Sequence, residues 1–152
     1  MKSVDLNKFS SELGKFAKAS IKQKREAVAR GLARSIPDLV AASPVDTGLY
    51  AASWGMTMTE TAGILGNHAP YAGVIEYGAR PFTPPIGPLL AWAKRVLSDD
   101  SQPPKYSSRV WALAKSVQKK IEEQGMMPKH ILENMIPTII ENIKLEMQHV
   151  GQ

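Results

Sequence analysis

Histidines are the first residues to consider for chemistry, because an imidazole can transfer protons and bind metals. The chain has three, His68, His130 and His149, and none shows the H-x-x-x-H or H-E-x-x-H spacing that places two ligands on one helix face. There is no cysteine, which removes thiolate ligands, disulfides and a cysteine nucleophile together. A D-x-D-x-D-G calcium loop is also absent. We therefore expect neither a metal site nor a cofactor.

A nucleophile–base set is the second possibility. Ser53, His68 and Asp46 can be combined on paper, but no G-x-S-x-G turn surrounds any serine to hold its hydroxyl in a reactive position. The phosphate-binding patterns G-x-x-x-x-G-K-S/T and G-x-G-x-x-G are missing as well. We therefore expect a protein that is not an enzyme, and a small hydrolase is the weakest alternative.

Charge is distributed unevenly along the chain. Residues 1–36 contain nine Lys or Arg and three Asp or Glu, whereas residues 37–92 contain one Arg and four acidic residues. A basic helix can contact nucleic-acid phosphates or an acidic surface of a neighbouring subunit. Phe9 and Phe16 belong to the apolar stripe rather than the basic face, so we favour a solvated or subunit-facing helix. A basic DNA-associated protein, with phosphates bound by this helix, is the alternative.

The length of 152 residues lies within the range of roughly 100–200 residues for one domain, so we expect residues 1–152 to form a single domain. No run approaches the roughly 18 apolar residues of a membrane helix. The N-terminus has scattered charges and no apolar signal region. We therefore expect a protein made in the cytoplasm, with no membrane partner.

The first 42 residues are predicted to be helical. From Leu6 to about Val40, apolar residues recur at three- and four-residue spacings and lysines occupy the other side. Gly14 and Gly31 each weaken a helix by about 1 kcal/mol relative to Ala, so the helix is free to bend or break there. Pro37 predicts a boundary or a kink.

Residues 43–80 are predicted to be a β region. The sequence SPVDTG at residues 43–48 is typical of a turn, in which Asp46 or Thr47 bonds the backbone and Gly48 adopts a positive φ. Residues 54–59 alternate large apolar with small or polar side chains, which predicts a strand, and residues 64–66 are its hairpin partner. The run from Tyr71 to Tyr77 fits either a strand or a short helical turn.

The remaining residues are predicted to form an extended arm at 81–88, which contains four prolines, and helices over 89–152. Ser98–Pro104 is predicted to be a solvated linker, and Ser107 or Ser108 to cap a helix that ends at Gly125. Apolar pairs from Ile131 onward predict a last helix, kinked or restarted near Pro137. The expected fold is α+β: a long N-terminal helix, a small antiparallel sheet, the proline-rich arm and C-terminal helices.

Three elements in the segment 43–97 occur in an order that resembles one family, the tail-completion or head–tail joining (neck, minor tail) proteins of long-tailed bacteriophages. The first is the turn, matched by Pro44, Asp46, Thr47 and Gly48. The second is matched by Tyr71, Ala72, Glu76, Tyr77 and Gly78. The third is the proline-rich link into a helix, matched by Pro84, Pro85, Pro88 and the residues from Leu89. Members of the family often end soon after that helix, whereas this chain continues.

The resemblance implies a structural virion protein that helps to join tail to head. It implies a ring of identical subunits, six-fold to suit a tail tube, at the neck or proximal tail end and assembled in the host cytoplasm. The implied partners are other copies of the chain, head connector or adaptor proteins, and tail terminator or tail tube proteins, with transient contact to phage DNA. The expected assembly residues are Tyr71, Glu76, Tyr77, Gly78, Arg80, Pro81, Phe82, Pro84, Pro85 and Pro88.

Glu76 lies in an otherwise apolar stretch, and its environment decides its role. If it is buried, it needs a cation, either Arg80 or a basic residue of a neighbouring subunit. Strand alternation would instead place it outward on an edge strand. A proline-rich arm such as 81–88 loses little entropy when it docks, so we expect it at a subunit contact.

Overall fold

The computed structural model describes residues 6–150, with side chains from Ser10 onward. Within that part the predicted α+β class is confirmed by six helices and one antiparallel strand pair. In chain order they are α1 (Leu6–Ala42), α2 (Leu49–Ala52), β1 (Trp54–Met58), β2 (Gly63–Asn67), α3 (Ala72–Tyr77), α4 (Ile86–Val96), α5 (Ser108–Gln124) and α6 (Ile131–Met147). The side chains of Leu6 and Phe9, predicted in the apolar stripe, lie outside the described residues.

The chain packs as two compact units. The first, which we call the hairpin unit, comprises the residues up to Pro44, Tyr50–His68 and the residues from Ile131. The second, the proline unit, comprises Val45–Leu49 and Ala69–His130. The expectation of a single domain over 1–152 stays a prediction, since two compact units can belong to one domain or to two.

Helix α1 is continuous through Gly14, Gly31 and Pro37. Of the two alternatives predicted at Pro37, the boundary is wrong and the kink stays a prediction. Pro37 removes one backbone donor, and its ring is exposed on the side away from the packed face. Leu32 and Leu39 are buried on either side of it. Burial of each of these side chains stabilises the folded chain by roughly 1.5–3 kcal/mol. This gain offsets the loss of one backbone hydrogen bond at Pro37.

Helix α6 packs antiparallel along the C-terminal half of α1. Asn142 Nδ2 donates to Ser35 Oγ at 3.1 Å, and one turn nearer the N-terminus of α1, Arg30 Nε donates to Glu146 Oε2 at 2.8 Å. At Gly31 the two backbones approach so closely that an added Cβ would lie 2.6 Å from the Cα of Ile143. Gly31, which weakens an isolated helix, is therefore what allows this pair of helices to meet.

Pro137 lies inside α6, which forms one helix from Ile131 to Met147. Of the two predicted alternatives, the restart is wrong and the kink stays a prediction. Its ring is exposed, whereas Ile131 and Ile139 are buried on another face. The apolar face toward α1 continues across the proline, and its packing stabilises the helix on both sides of Pro137.

The predicted hairpin is confirmed. Strands β1 and β2 pair antiparallel from Trp54 opposite Asn67 to Met58 opposite Gly63. Gly63 lies against α1, because a Cβ there would meet the side chain of Leu32. Trp54 is 8% exposed and Tyr50 3%, and their rings meet edge to face at 5.7 Å. The hairpin therefore packs against α1.

The core of the proline unit lies between α4 and α5. Leu90, Ala93, Val110 and Ala114 are buried there, each at most 5% exposed. Of the two predicted caps of α5, Ser107 is the one observed, and its Oγ accepts from the backbone N–H of Val110 at 3.3 Å. The helix ends before Gly125 as predicted.

The segment Ser98–Pro104, predicted to be a solvated linker, contains one side chain with a structural role. Asp99 accepts from Ser107 Oγ at 2.7 Å and from the backbone N–H of Ser101 at 2.8 Å. Hydrogen bonding by Ser101 is the main cause that lowers the pKa of Asp99 to about 2, and the hydrogen bond from Ser107 adds to the effect. Solvation alone therefore does not explain this carboxylate, which holds the capping serine in place.

Two predicted boundaries change. The predicted β region 43–80 also contains the short helices α2 and α3, and the run from Tyr71 to Tyr77 is helical rather than a strand. The predicted arm 81–88 is extended only as far as Pro85, because α4 begins at Ile86. Pro88 lies in the first turn of α4, where backbone N–H groups have no helical partner and a proline is tolerated.

Substitution of Gly31 with Ala is expected to lower the free energy of unfolding by about 1–3 kcal/mol, because the new methyl group meets the backbone of α6. The matched control is Gly14→Ala, where nothing lies within 4 Å. There the higher helix propensity of Ala should leave stability unchanged or raise it by up to about 1 kcal/mol. Urea unfolding followed by circular dichroism measures both, and equal effects would contradict the close approach.

Replacement of the capping residue, Ser107→Ala, should lower stability by about 1 kcal/mol and raise the pKa of Asp99 toward its ordinary value. Ser108→Ala removes a neighbouring exposed hydroxyl and should change stability by less than about 0.5 kcal/mol. Because the folded pKa of Asp99 is lowered, its contribution is present above the ordinary carboxyl range and is lost as the pH falls from about 4 toward about 2. Denaturant unfolding at both pH values, with carboxyl NMR titration, tests this.

Candidate functional site

Of the residues that sequence patterns single out for chemistry, Ser53 and His68 lie in the hairpin unit and Asp46 lies in the proline unit. Ser53 and His68 meet through their backbones, with His68 N donating to Ser53 O at 2.8 Å. The carboxylate of Asp46 is bound by Arg95. Among the described side chains there is no group of three His, Asp, Glu or Cys able to hold a metal ion. The expectation that the protein is not an enzyme stays a prediction.

The turn after α1 is held from one side by Ser43. Ser43 is 6% exposed; its hydroxyl donates to Leu39 O at 2.6 Å and accepts from Trp54 Nε1 at 2.8 Å. This side chain therefore fixes the end of α1 against the first residue of β1. Pro44 and Thr47 are exposed, and Gly48 has the expected positive φ, 79°.

Asp46 is held by Arg95 of α4. Arg95 Nε donates to Oδ1 at 2.8 Å and Nη2 donates to Oδ2 at 2.6 Å, a two-point arrangement that fixes both planar groups. The hydrogen bond from Arg95 is the main cause that lowers the pKa of Asp46, and its positive charge adds to the effect. The aspartate of the predicted turn motif thus joins residues 45–49 to α4. Arg95 was not among the predicted site residues, and no local spacing links it to Asp46.

Replacement of the arginine, Arg95→Met, should raise the pKa of Asp46 toward its ordinary value. Both side chains are largely exposed, at 45% and 42%, so the free energy of unfolding should fall only slightly. Since the folded pKa of Asp46 is lowered, this stabilisation is present above the ordinary carboxyl range and lost as the pH falls below it. NMR titration of the carboxyl group, with Lys94→Met as the neighbouring control, measures the change. An unaltered Asp46 titration in Arg95→Met would contradict the ion pair.

A short backbone pairing fastens the segment that follows α3. Ala79 N donates to Met126 O at 3.0 Å, and Met126 N donates to Ala79 O at 2.8 Å. Gly78 and Gly125 both have positive φ, and a Cβ at either would collide with the opposite strand of this pairing, at Met126 O and Ala79 O. The predicted assembly residue Gly78 therefore has a role inside the unit, which is to allow this approach.

The proline-rich segment is also anchored. Pro84 is buried, and its carbonyl accepts from Gln118 Nε2 at 2.8 Å. Gln118 is itself only 9% exposed and lies on α5. The segment 81–85 is therefore seated on a helix of its own unit by its middle residue, while its other prolines, Pro81 and Pro85, are exposed.

The predicted assembly residues divide into an inner and an outer set. The inner set is Glu76, Gly78 and Pro84. Glu76 is 8% exposed and lies in α3, so its placement on an edge strand is wrong. The outer set comprises Tyr71, Tyr77, Arg80, Pro81, Phe82, Pro85 and Pro88, all exposed. Their role in subunit contact stays a prediction.

Two methionines that the sequence patterns did not single out extend the outer set. Tyr77 is 76% exposed and Phe82 43%, and the Ala79–Met126 pairing brings their segment beside Met126 and Met127, 37% and 80% exposed. We call Tyr77, Phe82, Met126 and Met127 the apolar rim. The sequence around Met126 and Met127 does not indicate that they lie beside the segment of Tyr77 and Phe82. Only the Ala79–Met126 pairing places them there.

Comparisons of the chain with protein-family models, curated proteins and solved structures found no match. Over residues 6–150, none of the helices combines the length and apolar character needed to cross a bilayer.

Proposed function

We propose that the chain is a non-enzymatic assembly protein that works by docking on other proteins. The observation that carries this is the apolar rim, four large apolar side chains exposed to solvent beside one backbone pairing. Clustered exposed apolar groups mark protein contact surfaces. Aromatic residues and Met are also enriched in such contacts.

The rim is presented on a stiff support, which favours docking. The Ala79–Met126 pairing, the two glycines and the Pro84–Gln118 hydrogen bond hold the segments that carry it. Side chains on a fixed backbone lose less entropy on binding than side chains on a free loop. A preformed contact surface is what a subunit needs when it must match a partner of fixed shape.

The setting we propose is the head–tail junction of a long-tailed phage. The order of turn, α3 segment and proline-rich link supports it, and the Asp46–Arg95 pair supplies a physical reason for the aspartate of the turn. In this setting the chain is a virion protein at the neck that assembles into a ring and contacts head connector or adaptor proteins on one side and tail terminator or tail tube proteins on the other.

A second candidate, a DNA-associated protein, is favoured by the exposed basic side chains of α1. Between residues 10 and 26 the five basic side chains, Lys15, Lys18, Lys22, Lys24 and Arg25, are all exposed. Binding of duplex DNA that weakens with salt, by a logarithmic slope of about 0.9 for each phosphate neutralised, would support it.

Tails assembled without the protein provide the test. Addition of the purified chain should produce capped tail ends in electron micrographs and restore joining to heads. The double variant Tyr77→Ser, Met127→Ser should fold normally and lose most of the capping, because it removes the two most exposed apolar groups of the rim. Val45→Ser, at a position 83% exposed but outside the rim, is the control and should cap as the wild type does. No capping by the wild type would refute the proposed setting.

A further inference from the structure

Helix α1 extends past the helix that covers it. The Ser35–Asn142 and Arg30–Glu146 hydrogen bonds show that α6 runs back along α1, and α6 ends at Met147. Beyond that end, residues 10–26 of α1 are exposed, apart from the half-buried Ser20. At roughly 1.5 Å per residue this segment, which we call the overhang, is about 25 Å long.

The overhang has an apolar face with no cover. Leu13, Phe16 and Ile21 are 51%, 75% and 64% exposed. The face continues into a groove between α1 and the hairpin, whose wall includes Ile21, Val28 and Met58 and whose edge carries Lys24 and Arg25. A largely apolar helix face and groove of this length are unusual on a surface that remains in water.

The overhang is basic. It contains five Lys or Arg residues and two Glu residues, so its net charge is positive. Two overhangs packed together would repel each other, which disfavours pairing of the same face on two copies. An acidic apolar surface is the complement that it requires.

The same unit carries such a surface on α6. Ile136 and Ile140 lie one turn apart and are 47% and 46% exposed, while Ile131 and Ile139 face the core. Of the three Glu residues of this helix, Glu146 is bound by Arg30 and Arg34 of α1. Glu133, Glu141 and Lys144 remain, and all three are exposed. The outer face of α6 therefore combines apolar side chains with two acidic residues and one basic residue, so its net charge is negative, opposite in sign to that of the overhang.

We infer that the overhang of one copy docks on the outer face of α6 of a second copy. One chain cannot make this contact with itself in this structure, because the overhang lies beyond the end of α6 and Ile136 and Ile140 are exposed rather than packed on α1. A contact between two different faces is heterologous, so it repeats from copy to copy and closes into a ring when the rotation allows. Ring closure, though not the contact itself, rests on the proposed function.

Two face variants test the contact by light scattering of the full-length protein. The overhang variant is Phe16→Asp, Ile21→Asp, and the α6 variant is Ile136→Asp, Ile140→Asp. The wild type should self-associate, and each variant alone should have the mass of a single chain, 16.6 kDa. A mixture of the two variants should form a one-to-one dimer of about twice that mass, because each still supplies the face that the other lacks. High salt should weaken this dimer.

The control Val45→Asp, an exposed position on neither face, should associate as the wild type does. If an Asp pair reduces the circular dichroism signal of folded protein, the corresponding Ser pair replaces it. Self-association of the α6 variant at wild-type strength would overturn the inference, as would a mixture that remains monomeric. A wild type that is monomeric yet caps tails would overturn the contact between copies and leave the proposed docking at the tail end intact. A wild type that self-associates but does not cap tails would leave the contact between copies intact and refute the proposed setting.

Discussion

The close approach of α6 to the C-terminal half of α1 is the constraint on which the hairpin unit depends. It requires Gly31, since any larger residue would press on the backbone at Ile143. Antiparallel packing from this point sets where α6 ends along α1, and so decides which turns of α1 are covered and which form the overhang. The apolar surface left exposed is thus a consequence of helix packing and of the difference in length between the two helices.

In the proline unit a comparable constraint acts through backbone hydrogen bonds. Gly78 and Gly125 permit the pairing of Ala79 with Met126, which draws two distant segments together. The apolar rim exists only because of that pairing, for its aromatic and methionine residues come from both segments. Residues expected to make contacts divide accordingly: those that shape the support are buried, and those that are left for a partner project from it.

Charged residues have different roles in the two units. In the proline unit the Asp46–Arg95 pair is exposed and contributes little stability, but its two-point geometry orients the turn relative to α4. In the hairpin unit the overhang lies beyond the end of α6, so its positive charge does not stabilise the negative outer face of α6 within one chain. Such separation of charge is useful when copies meet, because it favours unlike faces and disfavours like ones.

Much of the fold was predictable because local patterns decide it. The period of the apolar residues determined α1, the alternation from Trp54 to Met58 determined the hairpin, and Ser107 and Gly125 marked the ends of α5. Pro37 misled, because a single lost hydrogen bond is smaller than the burial of the side chains around it.

The candidate surfaces were only partly predictable. The glycines are visible in the sequence, but the backbone that each one contacts is far away along the chain. For Gly31 it lies about a hundred residues away and for Gly78 about fifty, so no local pattern connects them. Likewise, the apolar neighbours of Glu76 are visible in the sequence, yet only the structure shows that Glu76 lies in α3 and is buried. The sequence by itself determined the helices, the hairpin and the uneven charge, since these depend on neighbours along the chain. Tertiary structure decided which apolar faces are covered, because burial depends on long-range packing that spacing does not encode.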